Sequence, residues 1–151
     1  MSLEESRKKL FERIQKIEEL KRTGLKNQLM VEQFMDELLD ASGKKHNNVK
    51  FDEKAKLCQD LKPAEIEPPI WSVLTAVNRL RNKIAHSLDH GEIQAKVDEV
   101  RAAYLAALEP TRREEAEQLD DARIVASACE LCCDNLFQAT EAAQARKKRD
   151  A

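Results

Sequence analysis

Glycine and proline are scarce in this chain, with three and four among 151 residues. So few backbone breakers exclude a loop-rich or collagen-like architecture. Aromatic residues make up only 4%, which argues against a platform of stacked bases. The β-branched residues are scattered, and no segment shows the alternation of a half-buried strand. No apolar run approaches the length that crosses a bilayer. An excess of positive charge is also missing. The formal net charge is −2, with 36% charged residues of both signs interspersed, so bulk electrostatic attraction to nucleic acid is excluded and only a local patch could serve.

What remains is dominated by alanine, leucine, glutamate, lysine and glutamine, all strong helix formers. The expectation is an all-α fold, a single helical bundle of about five or six helices spanning residues 1–151. That length buries a core without disulfides or metal. The opening "MSLEESRKKLFERIQ" has no central apolar run of an export signal. A cytoplasmic, reducing setting is therefore expected, with all four cysteines as thiols.

Along the chain, Ser2 and Glu5 in "SLEE" form a capping-box pattern. Leu3, Leu10, Ile14, Ile17 and Leu20 follow at helical spacing. Gly24 interrupts, and a second pattern runs from Leu25 to Leu39 and ends at Gly43, where a left-handed residue is expected. These two segments either pair antiparallel or fuse into one bent helix. A polar loop precedes a short helix at "FDEKAKLCQDL". The paired prolines of "KPAEIEPP" exclude helix just before them, and the next helix starts near Ile70. Another is expected from about Glu92 to Leu108. "TRRE", with Thr111 and Glu114, offers a second capping box for a long final helix, whose basic end "ARKKRD" suits a helix C-terminus.

The chemistry concentrates in "VNRLRNKIAHSLDHGE". On a helical wheel, Ile70, Val73, Leu74, Val77, Leu80, Ile84 and Leu88 form one apolar stripe. Asn78, Asn82 and His86 line up four apart on another face, with Thr75 nearby, as an ordinary wet row. Arg81 falls inside the apolar stripe, where a guanidinium is costly unless it is paired or faces a cavity or interface. Arg81 and His86 stand roughly 140° apart around an ideal helix, so a second copy completing the site is one solution and a sideways reach of Arg81 is another.

"RNKIAH", Arg81 to His86, within "LRNKIAH", resembles the arginine–four-residue–histidine motif of the HEPN superfamily (higher eukaryotes and prokaryotes nucleotide-binding domains). Asn82 matches the polar residue that often follows the arginine there. The resemblance in pattern covers most of the chain, while residue-level matching is confined to the motif. It implies a metal-independent endoribonuclease with no cofactor, working as a homodimer on RNA. It also implies a setting as a toxin or phage-defence protein, with an antitoxin or regulator as partner. Arg81 and His86 would be the catalytic pair, and Asn82 and Asn78 supporting, phosphate-binding residues. The residue types suit the task. A histidine titrating near neutrality can take a proton from a ribose 2′-hydroxyl or protonate the leaving oxygen. An arginine can hold the phosphate through two parallel donors. The product would be a 2′,3′-cyclic phosphate, and DNA, lacking the nucleophile, would be spared. The alternative is a HEPN-like module that binds RNA, a nucleotide or a protein without cutting.

Other candidates have plainer explanations. His90, four residues beyond His86, invites a metal, but no third ligand accompanies the pair, and a helix-capping histidine is the simpler expectation. "CELCC" places Cys129, Cys132 and Cys133 on one helical face as small apolar core residues. His46 in the polar loop is expected to face solvent. Trp71 is expected to anchor the start of the motif helix.

Overall fold

In a computed structural model, residues 2–87 and 89–151 are described. Leu88, expected to extend the apolar stripe, lies outside the described residues. The described residues form six helices: α1 (Leu3–Ala41), α2 (Phe51–Asp60), α3 (Pro68–His86), α4 (His90–Ala107), α5 (Pro110–Ala116) and α6 (Asp121–Arg149). Helix α1 packs chiefly along α6, and α3 along α4. Both α3 and α4 rest on α6, and the short α2 wedges against α1 and α3. None of the described helices is long and apolar enough to cross a membrane.

The two N-terminal helical patterns fuse into a single 39-residue helix. Its start carries the expected capping box: Ser2 Oγ accepts from the Glu5 amide at 3.1 Å, and Glu5 Oε2 accepts from the Ser2 amide at 3.4 Å. Gly24 is helical and buried, and a Cβ placed on it would meet Ile84 Cδ1 at 3.8 Å, an ordinary contact. No close approach therefore requires glycine there. At the far end Gly43 takes φ +70°. Its amide reaches Asp40 O at 3.1 Å and the Lys44 amide reaches Leu39 O at 2.9 Å, the two bonds of a Schellman termination.

Helix α1 outruns the bundle. Leu20, Val31, Met35, Leu38 and Leu39 are buried, but Leu3, Leu10, Phe11 and Ile14 are exposed. The reason lies in α6, which begins only at Asp121, opposite Lys16, with Lys16 Nζ 3.6 Å from the Asp121 carboxylate. Earlier residues of α1 project beyond that level.

The C-terminal region departs from the expectation of one long helix. Pro110 takes the first turn of α5, with Glu109 as its N-cap and no side-chain cap bond, so Thr111 does not cap. Asp120 then starts α6 by accepting from the Arg123 amide at 2.9 Å. Between them Arg113 reaches back to Leu105 O and Leu108 O at 2.9 and 3.0 Å. It thereby satisfies Leu108 O and adds a second donor to Leu105 O, which already accepts from the Leu108 amide at 3.2 Å. In the core of α6, Cys129, Cys132 and Cys133 are buried with Ile124, Val125 and Leu136, as expected for small apolar residues. All four cysteines are free thiols.

Candidate functional site

Helix α3 begins at Pro68, two residues earlier than expected, because both prolines fit the first turn, where no amide partner is needed. Its apolar stripe from Ile70 to Ile84 is buried. It stays in the core through Leu80 and Ile84, but the flank of α3 beside it faces a gap between α1 and the first turn of α2. The gap is a cleft of about 450 Å³ lined by Gln28 and Glu32 of α1, by Lys50, Phe51 and Asp52 at the start of α2, and by Asn78, Arg81, Asn82 and His86 of α3.

The cleft therefore gathers all four motif residues from one helix of one chain. Around α3, Asn78 and Asn82 fall between Arg81 and His86, so the face that lines the cleft includes all four. Arg81 is exposed beside the buried stripe, so of the alternatives open to it, it faces a cavity. One expectation is corrected: Asn78 is 6% exposed, so the row is open to solvent only from Asn82, which is half-buried, to the exposed His86.

Asn78 is buried because it is bonded on both sides. Its Nδ2 donates to Asp52 Oδ1, and its Oδ1 accepts from Gln28 Nε2 at 3.2 Å. The relay Asp52–Asn78–Gln28 joins α2, α3 and α1 beneath the cleft. Beside it, the buried Lys54 Nζ stands 2.8 Å from Glu32 and 3.0 Å from Asp36. Burial alone would pull the Lys54 ammonium down, but hydrogen bonds to Glu32 and Asp36 outweigh it and hold its pKa above the ordinary lysine value. Glu32 is thus engaged by Lys54 rather than by Arg81. Among the described residues, neither Arg81 nor His86 is recorded in a hydrogen bond or an ion pair. A guanidinium and an imidazole free at a polar cleft are available to a ligand.

The turn after α3 fixes where His86 sits. The Ser87 amide closes the helix on Lys83 O at 2.9 Å. Ser87 Oγ donates to Glu92 Oε2 at 2.8 Å and accepts from the Asp89 amide at 3.1 Å. Asp89 caps α4 by accepting from the Glu92 amide at 3.0 Å. His90 is therefore the first residue of α4, not part of the helix that carries His86, and the two histidines do not share a helix face. His90 borders a different depression, against Lys9, Arg13 and Lys16 of α1. Among the described residues no group of three or more His, Cys, Asp or Glu side chains is placed to hold a metal ion.

His46 is also corrected. Its side chain is only 15% exposed, with Nδ1 3.1 Å from Asp36 and Nε2 2.6 Å from Asp40, which pins the loop before α2 onto α1. Thr75 bonds to Trp71 O at 3.0 Å and lies in a separate surface depression with Arg79 and Glu99. Trp71 packs partly buried against the core at the start of α3.

Four cleft residues were missed in the sequence: Gln28, Glu32, Lys50 and Asp52. Gln28 carried a signal, since it is a polar residue on the arc that Leu20, Gly24, Val31 and Met35 bury. Nothing local marked Lys50 or Asp52. No family model, curated protein or solved structure matches the chain.

Proposed function

We propose that this cleft is the active site of a metal-independent endoribonuclease of HEPN type, with Arg81 and His86 as its catalytic pair. The observation that carries the reading is the convergence of an uncommitted guanidinium and an uncommitted imidazole on one cleft, over two carboxamides. Arg81 would bind the scissile phosphate and balance the charge that develops on it. His86 would remove the 2′-hydroxyl proton as that oxygen attacks phosphorus. The bond to the 5′-oxygen breaks, a proton is delivered to that leaving group, and a 2′,3′-cyclic phosphate remains. Asn82 stands between the two and would orient phosphate or imidazole. Asn78, held in the relay, would present a fixed surface below them. Lys50 adds a second cation at the edge.

A homodimer belongs to this reading, and exposed apolar residues support it. Leu25 and Leu29 are 46% and 68% exposed on α1, to one side of Gln28 on the helical wheel, and a second copy seated there would cover them. Service as a toxin or in phage defence, with an antitoxin as partner, rests on the resemblance of the motif alone.

A specific observation favours the alternative, a HEPN-like module that binds without cutting. Among the described residues His86 has no recorded partner to fix its tautomer and orientation, which a general base ordinarily has. One assay separates the two. Purified protein is incubated with mixed RNA in EDTA and the products are examined for cyclic phosphate ends, for wild type and for His86→Ala. Cleavage by wild type that disappears in the variant supports the enzyme. Cleavage that survives removes His86 from the mechanism, and no cleavage of any RNA favours the binding module.

A further inference from the structure

The relay under the cleft ends in an atom with nothing to bind. Asp52 has only acceptor oxygens when ionised, so the Asn78 group facing it is the donor Nδ2. That orientation turns Asn78 Oδ1 toward Gln28, so the Gln28 group facing Asn78 is the donor Nε2. Each link fixes the next, and Gln28 Oε1 is left as the free end. Gln28 is 5% exposed, and its Oε1 is buried without a hydrogen-bond partner among the described residues. A buried carbonyl oxygen without a donor costs free energy. Leaving one at the wall of a polar cleft is reasonable where a ligand supplies the missing donor.

Resting on the ribonuclease or RNA-binding reading above, we infer that Gln28 Oε1 is a recognition atom that accepts a hydrogen bond from an N–H or O–H group of a bound ribonucleotide. The neighbouring groups define the rest of the ligand. Arg81 and Lys50 line the same cleft and offer cationic donors to a phosphate. Glu32 does not compete for them, since Lys54 engages it at 2.8 Å. The cleft thus presents cations for an anion and, on Gln28, a buried neutral acceptor that lacks a donor. A nucleotide carries that pairing of a phosphate with a nearby donor. The donor is either the ribose 2′-hydroxyl or an exocyclic amine of the base. Because Oε1 has essentially no exposed surface, the ligand reaches it through a small displacement of the side chains lining the cleft.

Nucleoside 3′-monophosphates test this without any bond to cleave. Affinities are measured by NMR titration for the ribonucleotides, for their 2′-deoxy forms, and for bases lacking the amine (hypoxanthine for guanine, purine for adenine). Wild type is expected to bind the form carrying the recognised donor at least fivefold more tightly than the matching analogue without it, and the analogue that loses affinity identifies the donor. In Gln28→Met that ratio is expected to fall to about one. A merely structural role of Gln28, or an ordered water at Oε1, would weaken or leave both ligands equally and preserve the ratio, which overturns the inference. In wild type, the Gln28 side-chain carbonyl carbon is expected to shift with the full ligand and not with the donorless analogue. This readout needs no variant, and a carbonyl indifferent to both ligands also overturns it. Nucleotides that bind without any discrimination overturn the role of Gln28 alone. Failure of every nucleotide and of RNA to bind overturns the reading on which it rests as well.

Discussion

Asn78 donates its side-chain amide to the carboxylate of Asp52, and that bond ties the motif helix to the first turn of α2. The two residues are 26 apart in the chain, and together with Lys50 and Phe51 they shape one wall of the cleft. The consequence is measurable. Asp52→Ala leaves a buried amide donor without its partner, which costs about 1–2 kcal/mol. Urea unfolding should show a lower midpoint at unchanged slope. Asp52→Asn, which keeps an acceptor, should lose less.

Two glycines, one inside α1 and one just past its end, should respond oppositely to alanine. Gly24 sits mid-helix with room for a methyl group, its added Cβ 3.8 Å from Ile84 Cδ1. Gly24→Ala should therefore stabilise the protein by about 1 kcal/mol through helix propensity. Gly43 holds φ +70°, and Gly43→Ala should destabilise by about 1 kcal/mol. Thermal melts of the two variants should move in opposite directions from wild type.

Acid should weaken the hold of α6 on α1 and α4 through Asp121. Burial pushes its carboxyl up, but the hydrogen bond from Arg101 and the nearby charge of Lys16 outweigh it and hold the folded carboxyl below its ordinary value. A carboxyl depressed by folding stabilises above its unfolded pKa and loses that contribution as pH falls through the folded one. Asp121→Asn should thus cost up to about 1 kcal/mol near neutral pH. The difference from wild type should shrink as pH falls through and below the ordinary carboxylate range, which unfolding curves at neutral and acid pH will show.

The thiols should be inert in the folded protein. Burial pushes Cys58 and Cys129 up to about 12 and Cys133 up to about 11, and Cys132 well above its ordinary value. Reactivity follows the thiolate, so an aromatic disulfide reagent at neutral pH should label none of them until denaturant is added. It should then label all four. Rapid labelling of Cys133 in native protein would contradict its burial.

Features set within a few residues were legible in the sequence. The Ser2–Glu5 capping box, the left-handed Gly43 and the core placement of Cys129, Cys132 and Cys133 all follow from short-range spacing. Features that depend on what lies opposite were not. Nothing near Leu10 indicates that α6 starts too late to cover it. The sequence around Thr111 does not reveal that Asp120 offers a better start for the final helix. Asn78 matches a solvent-facing row on the wheel, and only Gln28, 50 residues away, and Asp52 make it a buried hub. Arg81 falls at the edge of the apolar arc on the wheel, and the gap that exposes it is made by α1 and α2 rather than by its own helix.

The most direct measurement is a map of where RNA touches the folded protein. Short single-stranded RNA is titrated into isotopically labelled protein while amide resonances are followed. The largest shifts should fall on Asn78, Arg81, Asn82 and His86 and on Lys50 and Asp52 across the cleft. They should be lost in Arg81→Ala, with at least a tenfold drop in affinity. Shifts confined to the basic end of α6, Arg146 to Arg149, or to the projecting start of α1, would contradict the assignment of the cleft as the site where RNA is bound.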